Sequence, residues 1–169
     1  MTFMKHLLLL ILTVCGPTAL ALPADSDLPI QISADAGTVN EAEGISTYSG
    51  NVTIDQGSMH ISADEVEVIV ADSEVIQITA RTNKDSTRLA HYEHQPEDTH
   101  SPVLAEARLI TYMVQEERLH LSGQAKLKQM RDSFSGEQLY YDVNRGIVDL
   151  KSGDADGDRI QMIINPKQK

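Results

Sequence analysis

Six side chains of the kind that bind metals or transfer protons gather in one segment. They are His91, Glu93, His94, Glu97, Asp98 and His100. The segment is polar and contains proline, and it connects Arg81 to Pro102. Because the spacing of its histidines matches no common zinc-ligand pattern, we expect a polar connection here and no metal site.

A second group of carboxylates lies near the end of the chain. Asp154, Asp156 and Asp158 resemble the start of a calcium-binding loop, but Asn165 stands where that loop needs a bidentate glutamate. An Asp/Gly turn between two strands is the better interpretation.

Two pairs of adjacent acids, Asp64-Glu65 and Glu116-Glu117, could in principle serve as catalytic carboxylates. Neighbouring side chains of a strand point to opposite faces, so neither pair converges on one substrate atom. The Ser-His-Asp, P-loop and dinucleotide patterns are also missing from the sequence. The sequence predicts neither an enzyme nor a cofactor.

The elements that carry these residues are predicted to be strands. Apolar and polar residues alternate in many short runs, such as Val66-Glu67-Val68 and Leu119-His120-Leu121. Turn-forming clusters separate the runs: Glu43-Gly44, Ser49-Gly50-Asn51, Gln56-Gly57-Ser58, Ser122-Gly123, Ser135-Gly136, Asn144-Arg145-Gly146 and Ser152-Gly153. We therefore expect an all-β, antiparallel sandwich or roll with one apolar and one polar face.

A repeat of 73 residues organises this pattern. Ala34, Ser49-Gly50, Gln56, Ser62 and Val75 return as Ala107, Ser122-Gly123, Gln129, Ser135 and Val148. The apolar positions between them keep the same spacing. The sequence predicts one domain over residues 22–169, built from two similar halves at about 30–75 and 103–148.

The amino terminus has the features of a secretory signal peptide. Lys5 and His6 precede a short apolar run from Leu7 to Val14, and Ala19-Leu20-Ala21 forms an A-x-A cleavage site. The single cysteine, Cys15, would leave with residues 1–21. An exported domain without cysteine is typical of the bacterial periplasm.

Charge is distributed unevenly between the two halves. Residues 22–80 carry eleven acidic side chains and no Lys or Arg, whereas residues 81–169 carry thirteen basic and fourteen acidic ones. The acidic balance argues against a nucleic-acid partner. Solvated outer faces of strands explain the asymmetry most simply. Head-to-tail contact between unlike ends is the sharper hypothesis.

Ordered motifs in both halves resemble a known family. The first half contains Pro29–Asp35 (PIQISAD), Tyr48–Gly57 (YSGNVTIDQG) and Ile61–Val66 (ISADEV). The second half contains Ala107–Tyr112 (ARLITY), Leu121–Ala125 (LSGQA) and Ser135–Tyr141 (SGEQLYY). Together they resemble the OstA-like domain of the LptA family, periplasmic proteins of lipopolysaccharide transport.

The resemblance implies a fold and a function. The fold is an antiparallel β-jellyroll of about sixteen short strands, open at both ends, with an apolar groove between two sheets. The function is that of a bridge that carries lipopolysaccharide from the inner to the outer membrane with its acyl chains shielded in the groove. The implied partners are an inner-membrane component of the LptC type, the amino-terminal domain of an outer-membrane translocon of the LptD type, and further copies of the chain joined head to tail.

Candidate lipopolysaccharide-binding residues come from two arguments. Ile30, Ile32, Tyr112 and Val114 match family positions that contact the lipid. Alternation alone adds a second set that points inward: Val52, Ile54, Val66, Val68, Leu121, Leu127, Leu139, Tyr141 and Met162. For each member of the second set, an ordinary place in the packed core is the simpler interpretation.

Two other functions remain open at this stage. An LptC-type component would keep its amino-terminal anchor, which the A-x-A end argues against. A periplasmic carbohydrate-acting enzyme or an adhesion module could use the same all-β scaffold, because a fold does not dictate a function.

Overall fold

The computed structural model describes residue 25 and residues 28–96, 101–153 and 159–166. The predicted signal peptide and the Asp154–Asp158 loop lie outside these residues. The described part contains twelve antiparallel strands. They are β1 (Gln31–Ser33), β2 (Ala36–Asn40), β3 (Ile45–Gln56), β4 (Met59–Ala71), β5 (Glu74–Arg81), β6 (Ala90–His94), β7 (Val103–Ala107), β8 (Leu109–Met113), β9 (Arg118–Gln129), β10 (Asp132–Asp142), β11 (Ile147–Lys151) and β12 (Gln161–Ile163).

Three of the predicted turns are bends inside longer strands. Ser49-Gly50-Asn51 lies within β3, Ser122-Gly123 within β9 and Ser135-Gly136 within β10. The pairing register shifts at each of these places, because a β-bulge adds a residue to one strand without ending it. The turn predictions at these positions were wrong, whereas Glu43-Gly44, Gln56-Gly57-Ser58 and Asn144-Arg145-Gly146 do join strands.

The bulges let four long strands belong to two layers. The first part of β3 pairs with β2 and the last part with β1. In the same way β4 pairs with β5 and β6, β9 with β8 and β7, and β10 with β11 and β12. We call the layer that contains β2, β5, β8 and β11 the first layer, and the layer that contains β1, β6, β7 and β12 the second.

This arrangement accounts for the expected number of strands. The chain has twelve continuous strands in its described part, instead of about sixteen short ones. The four long strands contribute one segment to each layer, which gives eight segments per layer. The expectation of sixteen therefore counts segments, because a bent strand looks like two strands in the sequence.

The segment predicted to be a polar connection contains strand β6. His91 and His94 lie on this strand, and its apolar residues Ala90 and Tyr92 are buried. The interpretation as a connection was wrong. A five-residue strand with only two inward apolar residues shows too little alternation of apolar and polar residues to be recognised in the sequence. His100 lies outside the described residues. Within them, no group of three or more His, Cys, Asp or Glu side chains has a geometry that could hold a metal ion.

The internal repeat is a structural repeat of six strands. Strands β2 and β3 return as β8 and β9 with both bounds displaced by 73 residues. The hydrogen bond from Asp35 N to Gly50 O, 2.9 Å, returns as the bond from Arg108 N to Gly123 O, 2.8 Å. Beyond the next hairpin the displacement is 70 residues, so that Ile78 corresponds to Val148. The β4–β5 hairpin is thus three residues longer than the β10–β11 hairpin.

The core lies between the two layers. It is built from the inward residues of nearly every strand, and the rings of Tyr92 on β6 and Tyr112 on β8 meet across it with centroids 5.5 Å apart. The bulges lie along one side of the sandwich, where the long strands cross between the layers, and we call this the closed side. The hairpin turns lie along the opposite, open side. Among the described residues no helix has the length and hydropathy needed to span a membrane.

Candidate functional site

A groove of about 940 Å³ follows the open side of the sandwich, between the hairpin turns of the two layers. Val75, Tyr112, Val114 and Val143 of the first layer form one wall. Met59, His94 and Pro96 of the second layer and Leu28 and Ile30 of the amino-terminal segment form the other. About half of the lining residues are apolar, and charged or amide side chains such as Gln56, Glu74 and Glu117 belong to the other half. The apolar half suits a flexible acyl-type ligand, because apolar contact is non-directional.

The residues predicted from the family motifs lie at this groove with one exception. Ile30, Tyr112 and Val114 are on its walls. Ile32 packs against the core but is not part of the lining. Binding of a lipid by these residues stays a prediction.

The residues predicted from alternation lie beneath the groove. Val52, Ile54, Val66, Val68, Leu121, Leu127, Leu139 and Tyr141 are all buried in the core cluster. Met162, on β12, is 48% exposed. The inward direction of the first eight agrees with their burial, and their contact with a ligand also stays a prediction.

Several wall residues were not predicted. Val143 continues the inward alternation one step beyond the predicted residue Tyr141, and Met59 lies one step before the buried Ile61, which was not among the predicted residues. That signal was available in the sequence, but both residues stand next to turns. Leu28 reaches the groove from outside any strand, and alternation gives no signal for it.

The amino-terminal segment is fastened to the groove by a polar cluster. The Ser58 hydroxyl donates to Asp25 Oδ2 at 2.5 Å, and the Ser58 backbone N–H donates to the same oxygen at 2.9 Å. These two bonds hold the pKa of Asp25 below its usual value. His94 Nδ1 is 3.2 Å from the Ser58 hydroxyl, and burial lowers the pKa of His94 in spite of the nearby Asp25 and Glu117.

This cluster contains serine, histidine and aspartate but is not arranged as a nucleophile. In a catalytic triad the aspartate binds the imidazole nitrogen remote from the serine. Here the carboxylate of Asp25 accepts the hydrogen bond of the Ser58 hydroxyl directly. One nitrogen of His94, Nδ1, faces both Ser58 and Asp25. The geometry anchors residue 25 to the β3–β4 turn.

Three tyrosines lie at and below the floor of the groove. Tyr92 and Tyr141 are each 1% exposed. Within the described part of the chain the Tyr141 hydroxyl has no hydrogen-bond partner, and the Tyr92 hydroxyl has only a weak side-chain contact with Tyr112. Burial raises the pKa of Tyr92 well above its usual value, and the nearby Tyr112, Tyr141 and Glu117 raise it further. Burial also raises the pKa of Tyr112 to about 12. All three are therefore neutral at physiological pH.

Comparison with known proteins identifies the family. A family model described as "LptA/(LptD N-terminal domain) LPS transport protein" matches residues 31–147, which include the first ten of the twelve strands. The chain belongs to this family. The expected membership of the LptA family and the all-β jellyroll fold are both confirmed.

Individual members of the LptA family are similar over most of their length. The lipopolysaccharide export system protein LptH of Pseudomonas aeruginosa is 33% identical over 158 residues, which cover 89% of this chain and 87% of the relative. The export system protein LptA of Escherichia coli is 27% identical over 151 residues, with 89% and 78% covered. A crystal structure of Pseudomonas aeruginosa LptH, described as the LptA-homologous periplasmic component of the lipopolysaccharide transport device, superimposes with a TM-score of 0.74 at 29% identity. It covers 85% of this chain and is itself covered completely.

Proposed function

We propose that this chain binds lipopolysaccharide and carries it through the periplasm with its acyl chains in the groove. The observation that carries the proposal is a groove of about 940 Å³, open along one side and lined by both aliphatic and polar side chains, in a chain that belongs to the lipopolysaccharide transport family. Each buried CH₂ stabilises a bound acyl chain by about 0.8 kcal/mol, so a dozen carbons gain roughly 10 kcal/mol over water. The open side lets the sugar and phosphate part of the lipid stay in solvent.

The role is that of a carrier and not of a catalyst. The Ser58, His94 and Asp25 cluster is not arranged as a catalytic triad, because Asp25 accepts hydrogen bonds from Ser58 directly and does not orient His94 from its remote nitrogen. A conduit also requires contacts that let the ligand move. Val75, Val114 and Val143 provide these, since aliphatic side chains bind without fixed orientation.

Photo-crosslinking tests the location of the lipid. A p-benzoylphenylalanine residue is placed at Tyr112 or at Val75, on the groove wall, and at Tyr140 as a control on the outer face. We expect lipopolysaccharide adducts at the first two positions and none at Tyr140, because the acyl chains pass only along the groove. Adducts at Tyr140 with none at Tyr112 and Val75 would contradict the proposal.

We further propose that copies of the chain join head to tail through their terminal strands. Strands β1 and β2 form one end of the two layers, and β11 and β12 form the other. Of the seven large hydrophobic residues that are most exposed among the described residues, six lie on or next to these strands: Val39, Ile147, Ile160, Met162, Ile163 and Ile164. An exposed apolar edge strand is a site for pairing with another chain.

The register of this pairing follows from the junction between the two halves of one chain. Inside the molecule, β5 pairs with β8, with Thr79 opposite Thr111. The counterpart of β5 is β11 and the counterpart of β8 is β2, both of which have a free edge. If β11 of one copy pairs with β2 of the next copy in the same register, Asp149 of the first copy lies opposite Thr38 of the second.

The second layer gives a matching junction. Strand β6 pairs with β7, with Tyr92 opposite Ala105. Their counterparts are β12 and β1, so Met162 of one copy would lie opposite Ile32 of the next. A single placement of the neighbouring copy would form both junctions at the same time. Together the two junctions would continue the groove from copy to copy.

The same edges are the proposed sites for the other partners. The family description covers both LptA and the amino-terminal domain of LptD, so a partner of the LptD type would carry edge strands of the same fold. We propose that an LptD-type domain occupies one end of the assembly and an LptC-type component the other. Export to the periplasm through cleavage after Ala21 is part of the same proposal.

A further inference from the structure

The three tyrosines of the groove floor form a polar belt in an aliphatic interior. Tyr112 and Tyr141 lie on the inner face of the first layer, in one row with Leu119 of β9 between them. Tyr92 lies opposite, on the second layer, with its ring tilted by 55° against that of Tyr112. Strands in a sheet are about 4.8 Å apart, so the belt extends roughly 10 Å along the groove.

The belt is particular to the middle of the molecule. In the repeat, Tyr141 corresponds to Val68, Tyr112 to Val39 and Tyr92 to Met162. The equivalent positions towards both ends are thus apolar, and the hydroxyl groups are additions to a scaffold that does not need them.

The hydroxyls of Tyr92 and Tyr141 carry a free-energy cost. Both are buried; the Tyr141 hydroxyl has no hydrogen-bond partner among the described residues, and the Tyr92 hydroxyl has only a weak side-chain contact with Tyr112. A buried hydroxyl without a partner is unfavourable, and a phenylalanine of nearly the same shape avoids the penalty. A ligand oxygen that reached these hydroxyls would remove it, because a tyrosine hydroxyl both donates and accepts.

We infer that Tyr92, Tyr112 and Tyr141 form a hydrogen-bonding subsite for an oxygen within the acyl region of the bound lipid. The inference rests on the proposed function. An acyl chain that enters between β6 and β8 separates the rings of Tyr92 and Tyr112 and brings its oxygen to the three hydroxyls. The subsite therefore selects acyl chains that carry a hydroxyl group or an ester over plain alkyl chains.

Two fatty acids that differ by one hydroxyl test the selection. Binding of 3-hydroxytetradecanoic acid and of tetradecanoic acid to the chain of residues 22–169 is measured by titration calorimetry. We expect the wild type to prefer the hydroxy acid about tenfold, which corresponds to one hydrogen bond. The double variant Tyr92→Phe, Tyr141→Phe is expected to lose this preference while its affinity for tetradecanoic acid stays the same.

Tyr140→Phe is the matched control. Its hydroxyl belongs to a ring that stacks on His120 at 4.3 Å on the outer face, so its loss is expected to leave both affinities unchanged. Urea unfolding of each variant checks that the fold is intact, and the double variant is expected to be at least as stable as the wild type.

The outcomes separate this inference from the proposed function. A wild type that binds both acids equally, or a double variant that keeps the preference, overturns the tyrosine subsite and leaves the groove as a carrier of acyl chains. A wild type that binds neither acid overturns both.

Discussion

Asp64 stands out among individual residues because it is the one buried carboxylate in the described part of the chain. It accepts hydrogen bonds from Asn83 N at 3.0 Å and from the guanidinium of Arg88 at 2.8 Å. The bond from Asn83 is the main reason that the pKa of Asp64 is lowered, against the opposing effect of burial. Asp64 thereby ties the loop after β5 to the bend of β4.

Replacement of this carboxylate is expected to destabilise the protein. Asp64→Asn keeps the size of the side chain but removes the charge, and we expect the free energy of unfolding to fall by about 1–3 kcal/mol at pH 7. The folded pKa lies below the ordinary 3.8, so this stability is present above pH 3.8 and disappears as the pH falls through the folded pKa. Urea unfolding at pH 7 and at pH 3 measures both effects, and the difference between variant and wild type is expected to shrink at pH 3.

An exposed carboxylate provides the control for Asp64. Glu106 is 47% exposed at its side chain and lies 3.9 Å from Lys126, so Glu106→Gln is expected to cost less than roughly 0.5 kcal/mol. If the two variants lose the same stability, the network around Asp64 has no special role.

The bulges are the elements that shape the sandwich. In β3 the bulge consists of Gly50 and Asn51, with φ of 78° and 46°, and in β9 it consists of Gly123 and Gln124, with φ of 79° and 55°. Both pairs need the left-handed region, which glycine adopts without strain. The bends of β3 and β9 therefore each depend on one glycine.

Substitution of Gly50 is expected to lower the free energy of unfolding by more than the strain of its backbone angle alone. An added Cβ would lie 2.8 Å from the Cβ of Asp35, in addition to the strain of the positive φ. Gly146 has a similar φ of 64°, but the nearest atom to its added Cβ is Gln129 Nε2 at 3.9 Å. We expect Gly146→Ala to cost about 1 kcal/mol and Gly50→Ala at least about 2 kcal/mol.

Urea unfolding of the two alanine variants measures this difference. Equal losses of stability would mean that Asp35 moves aside and that only the backbone angle matters at Gly50.

At the scale of the whole molecule, the edge strands at the two ends are the counterparts of the two strands that pair in the middle. The inner junction of β5 with β8 is complete, whereas β2 and β11, the counterparts of these strands, each keep one edge unpaired within the described residues. The charge asymmetry adds a direction, since Glu41 and Glu43 lie in the turn after β2 and the proposed register places Arg145, which precedes β11, beside that turn of the next copy. The proposed chains of copies need no new kind of contact.

Cysteine pairs test the proposed register. The chain without residues 1–21 contains no cysteine, so Thr38→Cys with Asp149→Cys introduces the one pair that the repeat places face to face. Directly opposite residues have Cα atoms about 4.5–5.5 Å apart, which suits a disulfide. We expect a ladder of disulfide-linked oligomers on non-reducing gels after mild oxidation.

The control shifts the pair by one residue. Leu150 points to the other face of β11, so Thr38→Cys with Leu150→Cys is expected to give monomers. A ladder from this control, with none from the first pair, would refute the register.

The sequence predicted the fold better than it predicted the site. Alternation identified Val52, Ile54 and Val66 as inward residues, and all are buried, because strand periodicity is a local property. It could not distinguish the bulge at Gly50 from the turn at Gly57, since both need a positive φ. Only the pairing of distant strands decides whether a chain turns back or merely bends.

The site depends on contacts that no local pattern contains. The bond between Ser58 and Asp25 joins residues 33 positions apart, and Tyr92 and Tyr112 meet from different layers. The family motifs led to Tyr112 and Val114 on the groove wall, whereas Asp25 and Leu28, which reach the groove from outside any strand, needed the three-dimensional structure.

The continuity of the four long strands determines how the groove can widen. Strands β3, β4, β9 and β10 cross from one layer to the other, so the layers are joined along their closed side by covalent backbone. Moving the open edges apart flexes these strands where the register shifts and leaves the hydrogen-bonded ladders within each layer intact. The groove can therefore widen by bending of the backbone of these strands, and the same bending tends to close it again. A bulkier ligand can then pass through the groove without any unfolding.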